Sequence, residues 1–172
     1  CVLAFGDIEG ASAELLAQEN GGLNAMFTMM NNARLNVGIQ GVSIAERAYQ
    51  QALKFSLTRM QGNSIDGTSE GTVAIIDHPD VQRMLMDMKS RTEAMRALSL
   101  YTANELDLSK GASSEEERHK AQENLDILTP IVKAWCTDQG VLISSTGVQI
   151  HGGMGFIEET GAAQHYRDAR IL

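Results

Sequence analysis

The chain has 172 residues, 43% of them hydrophobic, which is enough for one substantial core, and its 14 basic and 22 acidic side chains leave a net charge of −8. That acidic excess, with no basic stripe to offset it, excludes nucleic acid and an anionic membrane surface as partners. The two cysteines, Cys1 and Cys136, lie too far apart for a metal-type pair and argue against a disulfide framework, which fits a reducing, cytoplasmic setting. No run approaches the roughly 18 apolar residues of a membrane span, and no signal-peptide pattern is present.

In chain order, "CVLAF" and "SAELLAQ" are short apolar-rich runs separated by Gly6, Asp7 and Gly10, and they predict two strands of a sheet whose remainder is not in this sequence. A two-stranded piece is not stable alone. Gly21 and Gly22 then break the chain, and the hydrophobic period changes from about 2 to about 3.6. Leu35, Ile39, Val42, Ala45, Tyr49, Ala52 and Leu53 recur at steps of three and four, predicting one amphipathic helix to about Met60. "GNSIDGTSEGTVAIID", from Gly62 to Asp77, reads as a surface connection.

A helix restarts at "DHPDVQRMLMDM", with Asp77 or His78 beside the N-cap, Pro79 in the first turn and Asp80 suited to the helix dipole. Val81, Met84, Leu85, Met88, Met95 and Leu98 give it an apolar face. Lys110, Gly111 and Ala112 interrupt it, and "SEEE" from Ser114 to Glu117 has capping-box spacing before the next helix. Pro130, with Thr129 as cap, is expected to end that piece and open another helix through Ile150, and a last helix is expected over about Glu159 to Arg170. The predicted fold class is all-α: an antiparallel bundle of long helices with a short β remnant at the N-terminus, divided at residues 1–20 and 21–172.

Most chemistry can be set aside on spacing. His78, His119, His151 and His165 have no i,i+4 pairing, so no metal site is expected. Neither Ser144, Ser145 nor Cys136 sits in a nucleophile motif, and most of the nine methionines fall at core spacing. "GGMGF" is different. One reading of the three glycines is a helix C-cap and turn; the other is that two adjacent glycines and a third exceed what a cap needs, and that Gly152, Gly153 and Gly155 together let a ligand or another backbone approach closely.

The stretch "GVQIHGGMGFIEETGAAQHYRDARI" resembles the C-terminal motif of acyl-CoA dehydrogenases, in which V-Q-x-x-G-G-x-G-[FY] is followed about ten residues later by R-D-[AS]-[RK]-I. "ENGGLNAMFTMMNNARLNVGIQGVSIAERAYQQALKFSLTR" resembles the passage from that family's middle β-domain into its helical domain, and "HPDVQRMLMDM" its next helix. The two connections, at 62–77 and around 109–118, resemble those of the larger bacterial members, including those acting on methylthio-propanoyl-CoA.

The resemblance implies an FAD-dependent α,β-dehydrogenation of an acyl-CoA, with a glutamate taking the α-proton, electron-transfer flavoprotein as acceptor, and a homo-dimer or homo-tetramer. It implies that Gln149 and Gly153 contact the FAD of a neighbouring subunit and that Arg59 pairs with its pyrophosphate. The family's R-x-T-F-G is here "RMQG", without the aromatic residue after Arg59. Arg34 matches an arginine lining the substrate site, and Asn31 stands where some members carry an acidic residue near the CoA adenine. The usual base follows R-D-A-[RK]-I in an I-Y-E-G stretch, beyond Leu172, and the alternative position is Ala33, so no catalytic residue is expected in this chain. Glu158 and Glu159 are read as caps of the last helix. The chain alone is therefore expected to be inactive and to retain no flavin. The same bundle would also serve an acyl-CoA oxidase, a nitroalkane oxidase-like enzyme or a non-catalytic oligomerisation module.

Overall fold

The computed structural model describes residues 2–68 and 70–172 and divides them between a unit ending at Ala33 and a unit running from Arg34 to Leu172. Cys1, the first residue of the first expected strand and half of the cysteine argument, lies outside the described residues, as does Ser69 in the expected connection.

In the first unit, residues 2–20 form no strand, contrary to expectation. The physical reason is the absence of a partner: neither run has a further strand to complete its ladder, and Val2, Leu3, Phe5, Ile8, Leu15 and Leu16 remain exposed. Helix α1, Gly22–Thr58, starts in this unit and supplies most of its length to the second.

The second unit is built on α1, α2 (Pro79–Gly111) and α3 (Glu115–His151), followed by the single turn α4 (Gly153–Phe156) and α5 (Ala162–Ala169). The expected apolar stripes form the core. Leu35, Val42, Ala45 and Ala52 of α1 pack with Leu85, Met88 and Met95 of α2 and with Val132, Cys136 and Ile143 of α3. Each large side chain so buried contributes about 1.5–3 kcal/mol relative to exposure. Ile39 is the exception to the α1 stripe, being exposed. Helices α1 and α3 cross at backbone distance, since a Cβ on Gly41 would lie 2.6 Å from the Cys136 carbonyl oxygen. Among the described residues no helix is long and apolar enough to cross a membrane.

Pro79 opens α2 at a position where its missing N–H costs nothing, and Ser114 caps α3 by accepting the Glu117 N–H at 3.1 Å. Two expectations fail. First, Pro130 does not divide α3, which runs through it, and Thr129 is no cap: its hydroxyl donates to the Leu125 carbonyl at 2.7 Å. One lost backbone bond is outweighed by tertiary burial on either side, where Leu125 and Val132 are 9% and 0% exposed. Second, the stretch read as a plain connection folds into an antiparallel pair, β1 (Met60–Asn63) and β2 (Thr72–Ala74), with Met60 opposite Ala74 and Asn63 opposite Thr72. These strands are too short and too polar for an alternation pattern to reveal them.

Candidate functional site

Three chain segments meet at one end of the second unit. Helix α1 ends at Thr58, so Arg59 projects from its terminus, and the Arg59 carbonyl accepts the Ile75 N–H at 2.8 Å, which ties the β1–β2 hairpin there. The hairpin in turn fixes His78, whose Nε2 donates to the Gln61 carbonyl at 2.7 Å. Helix α3 ends at His151, with Gln149 and the glycines beside it. Between these ends lies a cleft of about 690 Å³, lined among others by Phe55, Arg59, His78, Gln149, His151 and Gly153. No carboxylate lines it and Arg59 supplies a full positive charge, so the cleft favours an anion. Among the described residues the guanidinium is held only by a long 3.4 Å contact from Nη2 to Gln61 Oε1, and it is exposed, which leaves its fork able to turn to a phosphate.

The three glycines separate by cause. Gly152 ends α3 at φ 58°, ψ −137°, a conformation that side chains disfavour, while its N–H bonds to the Gln149 carbonyl at 3.0 Å. Gly155 is required by packing, since a Cβ there would lie 2.3 Å from the Val148 carbonyl oxygen. Gly153 has neither reason: its φ is not positive, and a Cβ would meet nothing within 4 Å. The absence of a side chain at Gly153 is thus unexplained by the chain's own packing, and the open backbone faces the cleft.

His151 organises the α3 terminus. It is 5% exposed, its Nδ1 donates to the Gly147 carbonyl at 2.7 Å, and its ring stacks on Phe55 with centroids 4.4 Å apart. The Phe55–His151 stack therefore locks the end of α1 that carries Arg59 against the end of α3 that carries Gln149 and Gly153. Phe55 was not foreseen, although its place one turn before Arg59 on the same helix was a usable signal. It also brings an aromatic ring to the cleft despite the missing aromatic residue after Arg59.

The structure thus brings Arg59, Gln149 and Gly153 together, although about 90 residues of sequence separate the first from the others. The substrate candidates are not among that lining. Arg34 is half-buried on α1, some 37 Å from Arg59 along the helix axis at ~1.5 Å per residue, and Asn31 is exposed on the same helix in the first unit. Both have polar partners. Glu158 and Glu159 do not cap α5, whose N-cap is Gly161 with no side-chain bond; Glu158 instead pairs with Arg167 at 3.3 Å on the surface. Among the described residues no group of His, Cys, Asp and Glu could hold a metal ion.

Long packed helices whose ends present an arginine, a glutamine and a bare glycine backbone around an anion-favouring cleft define a helical domain suited to a phosphate-bearing ligand. The comparisons with known proteins identify it further. Residues 20–172 match the acyl-CoA dehydrogenase C-terminal domain family, and the chain belongs to that family. It is 52% identical over 166 residues to 3-methylmercaptopropionyl-CoA dehydrogenase of Ruegeria pomeroyi, covering 96% of this chain and 28% of the relative. It is 36% identical over 176 residues to butyryl-CoA dehydrogenase of Syntrophomonas wolfei, covering 99% of this chain and 29% of the relative. The structure of butyryl-CoA dehydrogenase from Megasphaera elsdenii superposes with a TM-score of 0.71 at 27% identity, over 90% of this chain and 34% of that one. The chain thus spans less than a third of the length of the curated relatives named here.

Proposed function

We propose that this chain is the C-terminal helical domain of a flavoenzyme that dehydrogenates a short acyl-CoA between its α and β carbons, with residues 1–20 belonging to the end of a preceding β-domain and 21–172 to the bundle. The observation that carries this reading is the convergence of Arg59, Gln149 and the open Gly153 backbone on one cleft without carboxylates. Arg59 would pair with the FAD pyrophosphate, Gly153 would offer backbone at close range, and Gln149 would hydrogen bond alongside. FAD, when bound, supplies the hydride acceptor. This chain's residues would bind and orient it, with the Phe55–His151 stack fixing the spacing between the arginine and the glycine. Asn31 and Arg34 would serve the acyl-CoA, and electron-transfer flavoprotein would accept the electrons.

The 52% identity to a 3-methylmercaptopropionyl-CoA dehydrogenase makes that thioether substrate the first to try, with butyryl-CoA as the unsubstituted comparison. In the full-length protein carrying this chain, anaerobic mixing with either substrate should bleach the flavin absorption band. A full-length protein that purifies without flavin and binds none on titration would overturn the reading.

A further inference from the structure

The turn between α2 and α3 lies at the other end of α3 from the Arg59 cleft, roughly 50 Å along the helix at ~1.5 Å per residue. It holds an open cleft of about 530 Å³, lined among others by Tyr101, Glu105, Glu117, Lys120 and Asn124. Glu105 is the group there that the bundle does not explain. Its residue is 6% exposed, so the water around its carboxylate must be replaced by protein contacts. One neutral amide is what it receives: Asn124 Nδ2 donates to Oε2 at 3.0 Å. Among the described residues no buried side-chain oxygen or nitrogen lacks a partner, so Oε1, which has none, opens to the cleft. A carboxylate buried this far is ordinarily paired with a cation, and no described cation is bonded to this one.

The surroundings of Oε1 decide which cation would suit it. A metal ion does not fit, since among the described residues no group of His, Cys, Asp and Glu could hold one. Because its amide nitrogen is turned to Glu105, Asn124 keeps Oδ1 as a second acceptor, and the exposed ring of Tyr101 lines the same cleft. Two oxygen acceptors and an aromatic face suit a guanidinium, whose fork donates to neighbouring oxygens and whose plane stacks on a ring. The rim is acidic, with Glu115, Glu116 and Glu117 in the first turn of α3, and would draw a basic surface toward it. Of the cations nearby on α3, Arg118 is committed, its Nη1 donating to the Ala112 carbonyl at 2.7 Å. Lys120 is exposed, and its ammonium is bonded to no described residue.

We propose that this cleft receives an arginine side chain from a partner protein with a basic surface, the guanidinium donating to Glu105 Oε1 and Asn124 Oδ1 and lying against the Tyr101 ring. The inference is independent of the reading of the Arg59 cleft, with which this one shares no lining residue.

The test uses the full-length protein, with acetylated hexa-arginine as the probe and acetylated hexa-lysine as the comparison. Calorimetric titration at ~0.15 M ionic strength screens loose attraction to an acidic surface. Hexa-arginine should bind more tightly than hexa-lysine, and equal affinities would overturn the proposal. Glu105→Gln keeps the shape and can still accept from Asn124; it should weaken hexa-arginine by about tenfold or more, the size of a charge-assisted bond. Tyr101→Ala, at an exposed position that leaves the core intact, should weaken it by about threefold. Glu116→Gln removes the same charge from the rim and should cost less than about twofold. Equal losses for Glu105→Gln and Glu116→Gln would reduce the binding to general attraction, and the proposal would fail. With the cleft open to a partner, Lys120→Met should leave the thermal midpoint unchanged and tighten hexa-arginine binding. A lowered midpoint would instead make Lys120 the counter-ion of Glu105, which also overturns the proposal. If Glu105→Gln lowers the mass of the oligomer and leaves hexa-arginine unaffected, the occupant is a second copy of this chain and the partner assignment is wrong.

Discussion

Gln51 and His165 join the middle of α1 to the last helix across 114 positions of sequence: His165 Nε2 and Gln51 Oε1 lie 2.8 Å apart. The same Gln51 donates through its amide nitrogen to the Thr160 carbonyl, so its oxygen must face His165 and the imidazole must be the donor. One side chain thus ties α1 both to α5 and to the short helical turn Glu158–Thr160 that follows the glycine segment. Removal of Gln51 would leave a half-buried carbonyl and imidazole without partners.

That arrangement makes stability depend on pH. Burial first, and the neighbouring Arg47 charge second, hold His165 below its ordinary value of 6.5. The neutral ring is favoured in the fold, so the unfolded chain binds the proton more readily. The contribution is complete above 6.5 and is lost as pH falls through the depressed folded value. The thermal midpoint of the chain should therefore fall as pH is lowered from about 7.5 to about 5.5, and His165→Asn should flatten that slope. A slope unchanged by the substitution would assign the pH dependence to other groups. Glu46, held below its ordinary 4.5 mainly by its bond to Arg96, acts in a lower pH window.

Sequence reading succeeded where one residue type has one local job. Ser114 before an acidic turn and Pro79 at the first turn of α2 were legible because each satisfies a helix end by itself. Arg59, Gln149 and Gly153 were found through resemblance, and only the fold shows that helix ends bring them together. Pro130 was misread because local propensity was allowed to outrank burial, and the N-terminal strands because a strand's stability lies in its neighbours. The role of Phe55 depends on helix-to-helix packing, which no local pattern encodes.

Pro130 offers a direct measurement of that conflict. Inside α3 it removes the bond that the Asp126 carbonyl would accept and crowds the turn before it, at a cost of about 3 kcal/mol in a helix interior. Pro130 is exposed, so Pro130→Ala removes little packing. It should raise stability by about 1–3 kcal/mol, less than the full cost because α3 has adapted around the ring. Ser114→Ala should act in the opposite direction by about 1 kcal/mol through the lost cap. Denaturant titration of both variants measures the two signs, and a destabilising Pro130→Ala would mean that the ring makes contacts worth more than the bond.

One face of α3 exposes three large apolar side chains to solvent, with Asp138 among them. Ile127, Ile131 and Leu142 are 64%, 47% and 52% exposed, and helical geometry places them within about 60° of arc. We expect this stripe to take part in self-association, as a closed isologous contact in the simplest case. Ile131→Glu with Leu142→Glu should shift sedimentation toward monomer without altering helix content, since neither side chain belongs to the core. Pure monomer for the parent chain at high micromolar concentration would rule the contact out.

The three glycines should separate on mutation because their reasons differ. Gly155→Ala forces a methyl to within 2.3 Å of the Val148 carbonyl and should cost about 1–3 kcal/mol of stability. Gly152→Ala must hold an alanine at φ 58°, ψ −137°, a strain of about 1–3 kcal/mol. Gly153→Val meets neither obstacle, and the chain's thermal midpoint should move by only about 0.5 kcal/mol in equivalent stability, as for other surface changes. In the full-length protein the order should reverse: Gly153→Val should lose FAD while folding normally, because branched carbons would stand in the space left beside the cleft. Gln149→Ala should be milder, by about 1 kcal/mol for one hydrogen bond. Equilibrium titration with FAD alongside thermal melts separates the two effects. If Gly153→Val keeps full FAD affinity, the glycine does no more than begin the turn after α3, and Arg59 would have to hold the phosphates without it.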